Sequence, residues 1–208
     1  MNLTLRPATT ADAEALTNIY FSAFSTDEIS LLCFPRSPVT WTWWYNSIVS
    51  EIQDPSSHFL CVQNSSSPTL KIISYVKWND KYAPVATIND LPEWPQGCDV
   101  EVANHFFGTM IERRREIMGE RKHWYLELIA TKPEFQGKGA AGKLMRWGLE
   151  RADEDEVETN LEASPVGKEV YEHFGFEEKA RLVVPVDGKR DLVECKMVRQ
   201  RKKKVGGV

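Results

Sequence analysis

A β-α-β pattern between residues 123 and 163 constrains the fold more than any other feature of the sequence. Residues 124–130 are almost all apolar, which is typical of a buried central strand. Apolar residues then recur at helical spacing over 141–152, and a second strand is predicted for 157–163. Because two strands joined through a helix normally run parallel, we expect a parallel strand pair here, with the helix packed on one face of the sheet.

The rest of the chain has the pattern of helices and mainly antiparallel strands. Further strands are predicted at residues 3–6, 58–62, 70–78, 182–186 and 192–198. Further helices are predicted at residues 9–24, 38–52, 102–117 and 166–174. Turns at 64–68 and 187–188 predict two hairpins. Residues 25–35 and the proline-rich segment 79–100 are predicted to be loops. We therefore expect one α+β domain over residues 1–208, with a mixed, largely antiparallel central sheet flanked by helices.

Composition limits the class of protein. With 42% apolar and 27% charged residues, the chain is typical of globular proteins and unlike disordered, collagen-like or coiled-coil sequences. A net charge of -4 supplies no global attraction for nucleic acid or anionic lipid, so we expect neither as a partner. The start of the chain lacks the pattern of a signal peptide, which predicts a cytoplasmic protein.

Two further features are interpreted as structural. The four cysteines and four histidines have no metal-ligand spacing, so we expect no metal. A basic run over 199–204 has the composition of a nuclear signal or a nucleic-acid patch, and a nuclear location stays open on that account. A solvated, flexible tail over 199–208 is the favoured interpretation.

A glycine-rich segment, Q-G-K-G-A-A-G-K at residues 136–143, lies between the central strand and the helix. Small residues let backbone N–H groups approach a ligand, and a helix N-terminus favours negative charge, so the segment predicts a phosphate-binding turn. A nucleotide P-loop fits poorly, because Leu144 replaces the hydroxyl residue that holds magnesium. A dinucleotide fold would use Glu162 for the ribose, but residues 132–136 separate the strand from the first glycine and the later β-α units are absent. A turn that needs glycine for steric reasons alone is the remaining alternative.

The motif Gln136-x-x-Gly139-x-Ala141 resembles the Q/R-x-x-G-x-G/A motif of the GNAT superfamily of N-acetyltransferases. The strand L-E-L-I-A-T at 126–131 and the segment L-E-A-S-P-x-G-x-x-x-Y-x-x-x-G-F at 161–176 match the same family. The resemblance is close over 124–178 and weaker over 3–24. Ala141 and Ser164 occupy positions where glycine and asparagine, respectively, are frequent in the family.

The resemblance implies a GNAT-like acyl-CoA N-acyltransferase fold with acetyl-CoA as the acetyl donor. The central strand would part from the next strand, and its free backbone groups would pair with the pantetheine arm. Residues expected to contact the coenzyme are Ile129, Ala130, Thr131, Gln136, Gly137, Lys138, Gly139, Ala140, Ala141, Gly142, Lys143, Ser164 and Gly167.

Two residues are candidates for proton transfer. Tyr171 matches the family's general acid, and a phenol with a pKa near ~10 can protonate a departing thiolate. Glu127 is the one charge in the apolar strand and is expected to share a face with Tyr125 and Ile129. If Glu127 is buried, its pKa rises towards the range of a general base. Pairing with a neighbouring arginine or lysine is an equal alternative.

The expected activity is direct transfer of the acetyl group to the primary amine of a small molecule, by a monomer or homodimer. Candidate acceptor contacts are Phe24, Phe34, Trp43, Trp94, Asn160 and Glu162. The alternatives are a catalytically silent acyl-CoA-binding module, an enzyme that acetylates proteins or peptides, and a nucleotide enzyme that uses the same turn.

Overall fold

The computed structural model describes residues 2–66, 71–186 and 190–201. The predicted turn at 64–68 lies partly outside these ranges, and the turn at 187–188 lies wholly outside them. The expected flexible tail over 199–208 is described only as far as residue 201. Its first residue, Arg199, is not part of a frayed end: it is buried at the end of the last strand and forms a two-point ion pair with Asp153 at 2.8 Å.

Seven strands form one mixed sheet in the described residues. They are β1 (Leu3–Pro7), β2 (Ser57–Asn64), β3 (Ile72–Asn79), β4 (His123–Thr131), β5 (Glu158–Ala163), β6 (Glu177–Val186) and β7 (Arg190–Arg199). The spatial order is β1-β2-β3-β4-β5-β7-β6. Each neighbouring pair is antiparallel except β4 and β5, which are parallel. The predicted fold class and the β-α-β unit are confirmed.

Helices cover both faces of the sheet. They are α1 (Ala13–Ala23), α2 (Glu28–Cys33), α3 (Pro38–Glu51), α4 (Val100–Met118), α5 (Ala140–Glu154) and α6 (Pro165–His173). Apolar side chains of α1 to α4 form a core on one face, which we call the α1–α4 face. Helices α5 and α6 pack on the other, the α5–α6 face. On that face Gly148 of α5 lies against the Trp78 ring, where an added Cβ would be 2.2 Å from a ring carbon.

The prediction of a loop at residues 25–35 is wrong, because α2 forms there. The carboxylate of Asp27 accepts a hydrogen bond from the Ser30 backbone N–H at 2.7 Å and caps the helix. Ile29 and Cys33 then bury their side chains in the core of the α1–α4 face. Six residues are too few to display a helical period in the sequence, and burial against the core stabilises this single turn and a half.

A bulge in β4 determines which side chains reach each face. Lys77 of β3 pairs with Leu128 and Trp78 pairs with Leu126, so Glu127 is an extra residue between the two pairs. Leu128 therefore packs on the α1–α4 face and Ile129 on the α5–α6 face. The expectation that Glu127 shares a face with Ile129 is wrong, because it assumed uninterrupted alternation along the strand.

Candidate active site

The sheet splits between β4 and β5. Their parallel pairing runs from His123–Glu158 to Leu126–Leu161 and stops there. Beyond that point β4 pairs only with β3 and β5 only with β7, so the β5-facing backbone groups of residues 127–131 have no strand partner among the described residues. A cleft of about 1760 Å³ begins at this split and is lined by residues from both faces of the sheet.

The glycine-rich turn lies at one end of the cleft. Gly137 and Gly139 have φ angles of 70° and 85°, values that favour glycine, and Gly139 is the N-cap residue of α5. The first-turn amides of Ala140, Ala141 and Gly142 have no acceptor within their own helix. All five residues line the cleft. Such a set of amides, at the positive end of a helix dipole, fits the diphosphate of a coenzyme.

The two lysines of this turn do not line the cleft. Lys138 turns back, and its Nζ donates to the Glu134 carbonyl at 2.6 Å and lies over the Phe135 ring. Lys143 is exposed on α5. Gln136 does line the cleft, and its Nε2 donates to the Thr131 carbonyl at 3.3 Å. The charge expected from the lysines is therefore beside the turn and not within the cleft.

Helix α6 places the predicted general acid in the same cleft. Ser164 caps the helix by accepting the Gly167 N–H at 3.2 Å, and both residues line the cleft. The Tyr171 ring packs against Gly167, where an added Cβ would lie 3.2 Å from a ring carbon. The same ring makes an edge-to-face contact with Phe176. Burial and then the charge of Glu194 raise the pKa of Tyr171. The phenol therefore stays protonated at neutral pH and is able to donate a proton.

Glu127 differs from its predicted environment. Its carboxylate accepts hydrogen bonds at 2.6 Å from Lys77 Nζ and from Asn79 Nδ2, and 38% of the side chain is exposed in the cleft. Burial tends to raise the pKa of Glu127, but the Lys77 charge and these hydrogen bonds outweigh it and lower the pKa. The expected rise in pKa is therefore wrong, and the alternative of a carboxylate paired with a lysine describes this residue.

The two polar residues predicted on β5 have different positions. Glu162 lines the cleft, accepting a hydrogen bond from the Tyr125 hydroxyl at 2.6 Å and forming an ion pair with Lys196. Asn160 is fully buried, with its amide donating to the Trp124 carbonyl at 3.2 Å and accepting from Lys196 Nζ at 2.8 Å. The prediction that Asn160 contacts the acceptor amine is wrong, because its side chain is buried and does not line the cleft.

Aromatic rings form the opposite end of the cleft, on the α1–α4 face. Phe24, Phe34, Trp43 and Trp94, all predicted from the sequence, line it. Phe34 lies 5.5 Å from Trp43 and 6.1 Å from Trp94, ring centre to ring centre. The indole of Trp43 donates to the Glu93 carbonyl, at 2.9 Å, so it fastens residues 79–99 to α3. We call this group of four rings the aromatic chamber.

Glu194 of β7 was missed by sequence reasoning. It lines the cleft, is half-buried, and has no hydrogen bond or salt bridge to any residue in the described ranges. Burial, then the charges of Asp27 and Glu162, raises the pKa of Glu194 to about 8. The signal that singled out Glu127, a lone acid among apolar strand residues, was present between Val193 and Cys195 as well.

Among the described residues, no three histidine, cysteine, aspartate or glutamate side chains are grouped so that they could hold a metal ion. Within the same ranges, none of the helices combines the length and the apolar character needed to cross a membrane.

Comparison with known proteins finds similarity to one family. The acetyltransferase (GNAT) domain family matches residues 101–188. An uncharacterised N-acetyltransferase of Schizosaccharomyces pombe is 23% identical over 177 residues, covering 72% of this chain and 75% of the relative.

Two solved structures have the same fold. The polyamine N-acetyltransferase of Drosophila melanogaster, which forms N-acetylagmatine, aligns with a TM-score of 0.70 and 11% identity over 96% of this chain and 100% of its own. The mosquito protein arylalkylamine N-acetyltransferase like 5b aligns with a TM-score of 0.67 and 13% identity over 95% of this chain and 99% of its own.

Proposed function

We propose that this chain, whose residues 101–188 match the GNAT acetyltransferase domain family, transfers the acetyl group of acetyl-CoA directly to the primary amine of a small molecule. One observation carries the proposal: a single cleft joins the amide-lined turn on the α5–α6 face to the aromatic chamber on the α1–α4 face. A donor and an acceptor that enter from opposite faces would meet at the split between β4 and β5. We further propose that the chain acts as one domain in the cytoplasm, as a monomer or homodimer.

The donor site in this proposal uses backbone groups more than side chains. The amides of residues 140–142 would hold the coenzyme diphosphate. The backbone groups of residues 129–131 that have no strand partner on the β5 side would bind the pantetheine arm, as a neighbouring strand would. The thioester supplies an activated acetyl group, and Tyr171 would protonate the departing sulfur. A cysteine-linked intermediate is not part of the proposal, since the cysteines do not line the cleft.

The acceptor site combines aromatic walls with negative charge. Rings favour the apolar part of an amine and also attract a cation through their faces. Glu127 remains ionised beside Lys77 and would attract the ammonium group of an approaching substrate. One structural relative is a polyamine N-acetyltransferase, and another is named for its likeness to arylalkylamine N-acetyltransferases. A cationic amine with an apolar body fits this combination best.

The general-acid role is tested by Tyr171→Phe. We expect kcat to fall about 100-fold at neutral pH, while the dissociation constant of acetyl-CoA changes little, because the ring remains and only the proton donor is lost. Release of the CoA thiol measures kcat, and calorimetry measures binding. Tyr45→Phe is the matched control, since Tyr45 stacks on Trp41 outside the cleft. Unchanged kcat in Tyr171→Phe contradicts the role.

The function itself is tested by binding and turnover together. Acetyl-CoA should raise the melting temperature more than ATP or NAD at equal concentration. A thiol-release screen over arylalkylamines, polyamines, amino acids and peptides should find turnover with small cationic amines. Binding without turnover on any of these would favour a silent acyl-CoA-binding module, and turnover confined to peptides would favour a protein acetyltransferase.

A further inference from the structure

Glu194 lies where the cleft crosses the sheet. β5 ends at Ala163, which pairs with Cys195 of β7. Glu194, the residue before Cys195, therefore has no partner on the β5 side and borders the cleft. On its other side Glu194 pairs with Leu182 of β6. Alternation along β7 puts Glu194 on the same face as Lys196, which bonds Glu162 on the α1–α4 face. Glu194 therefore borders the acceptor end of the cleft, while Tyr171 borders the donor end.

The other acids at the split are occupied by strong partners. Glu127 is held by Lys77 and Asn79, and Glu162 is held by Lys196 and the Tyr125 hydroxyl. For Glu127, the Lys77 charge and these hydrogen bonds lower the pKa, so its carboxylate is a weak proton acceptor. Glu194 lacks such a partner among the residues that the structure describes, so its carboxylate is available to a ligand.

Charges from several elements face Glu194. Asp27, at the start of α2, and Glu162 of β5 are both acidic, and Tyr171 of α6 is a neutral phenol at pH 7. Together with partial burial, the two acids raise the pKa of Glu194 to about 8. A base whose pKa is near the working pH can both take up a proton and release it again within each reaction cycle.

We propose that Glu194 is the general base that accepts a proton from the ammonium group of the acceptor amine. The inference rests on the proposed acetyl transfer and adds the residue that starts it. The lone pair freed on nitrogen attacks the thioester carbon, and the carbon–sulfur bond breaks. Sulfur takes the Tyr171 proton, and the second nitrogen proton restores the phenol. Glu194 then gives its proton to water, so that each cycle releases one amide, one CoA thiol and one proton.

The test compares three glutamine variants by pH–rate profiles. In the wild type we expect kcat/KM to rise with pH around a midpoint near pH 8 and to level off at higher pH. Glu194→Gln should no longer show this rise of kcat/KM with pH, and its kcat should fall about 100-fold. The dissociation constant of acetyl-CoA should change little. Glu150→Gln, at an exposed position of α5, should match the wild type. If Glu127→Gln loses the rise of kcat/KM with pH while Glu194→Gln keeps it, the proposal is overturned.

A second measurement keeps the test independent of turnover. In carbon-13 spectra of protein labelled at the glutamate carboxyls, one resonance should titrate near pH 8 and be missing from Glu194→Gln. A Glu194 resonance that titrates near pH 4.5 overturns the proposal even if the enzyme acetylates amines. If the wild type binds acetyl-CoA but acetylates none of the amines screened, the proposed function fails, and the titration of Glu194 shows separately whether its carboxyl has the required pKa.

Discussion

At the scale of single residues, His123 makes the fold sensitive to acid. The ring is 4% exposed, and its Nε2 accepts a hydrogen bond from Arg114 Nε at 3.0 Å, so Nδ1 must carry the hydrogen and donate to the Arg121 carbonyl. Burial first, together with the nearby Arg114 and Lys196 charges, lowers the pKa of His123 to about 4. Because the unfolded state takes up this proton near pH 6.5 and the folded state only near 4, stability should fall as pH decreases between those values.

The measurement is urea unfolding from pH 7 to 4. His123 alone should contribute a loss of up to about 1.4 kcal/mol for each pH unit within that window. His123→Gln should flatten the curve there, whereas His173→Gln, at an exposed position of α6, should follow the wild type. Equal slopes in all three proteins would contradict the assignment.

The environments of the candidate residues could not be predicted from the sequence alone. The sequence singled out Glu127 as a lone charge in an apolar strand, but Lys77 is 50 positions away in the chain and only the β3–β4 register brings the two together. Predicting the position of Glu194 would likewise have required knowing that β5 ends at Ala163, so that Glu194 of the neighbouring strand β7 borders the cleft. Spacing in one sequence shows local relations, and these pairings are not local.

At the scale of elements, the contact between α5 and β3 depends on the missing side chain of Gly148. An alanine Cβ there would lie 2.2 Å from the Trp78 ring, so either the helix or the indole must move. We expect Gly148→Ala to lower the free energy of unfolding by about 3 kcal/mol, as overpacking does in cores. In α4, Gly108→Ala meets no atom within 4 Å and should raise stability by about 0.5–1 kcal/mol through helix propensity. Chemical denaturation of both variants measures the difference, and similar values would contradict the packing argument.

Elements with a long apolar period were predicted well, and short ones were not. The helices α1, α3, α4, α5 and α6 and the predicted strands agree with the structure to within a few residues, except that β6 begins at Glu177, well before the predicted start at 182. The helix α2 was missed because its stability comes from the Asp27 cap and from burial and not from a visible period. The bulge at Glu127 was missed because nothing in the sequence marks an extra residue in an apolar strand.

At the scale of the whole molecule, residues 79–99 contact both α3 and α4, the two helices beside the aromatic chamber. The Trp94 ring lies 5.0 Å from the Phe107 ring of α4, and its indole donates to Asn104 at 2.7 Å. We expect Trp94→Ala to increase amide hydrogen exchange in this segment and to raise the KM of the amine several-fold, because one wall of the chamber is lost. The dissociation constant of acetyl-CoA should not change, since the glycine-rich turn lies at the other end of the cleft.

Trp41→Ala is the matched control for this prediction. Its indole also makes one hydrogen bond, to Asn18 at 2.9 Å, but the ring does not line the cleft. If Trp41→Ala and Trp94→Ala change the KM of the amine equally, the effect comes from general destabilisation and not from the chamber.

The short pairing of β4 with β5 is the place about which the two halves of the sheet would rotate. Four residue pairs, ending at Leu126–Leu161, are the backbone connection between the two halves of the sheet in the described residues. A small rotation about these pairs would produce a displacement that grows with distance along the diverging strands, where the proposed donor and acceptor would meet. Reaction rates are sensitive to displacements of about 1 Å. A conservative change of Leu161, which is fully buried and does not line the cleft, would therefore alter catalysis from a distance and without contact with either substrate.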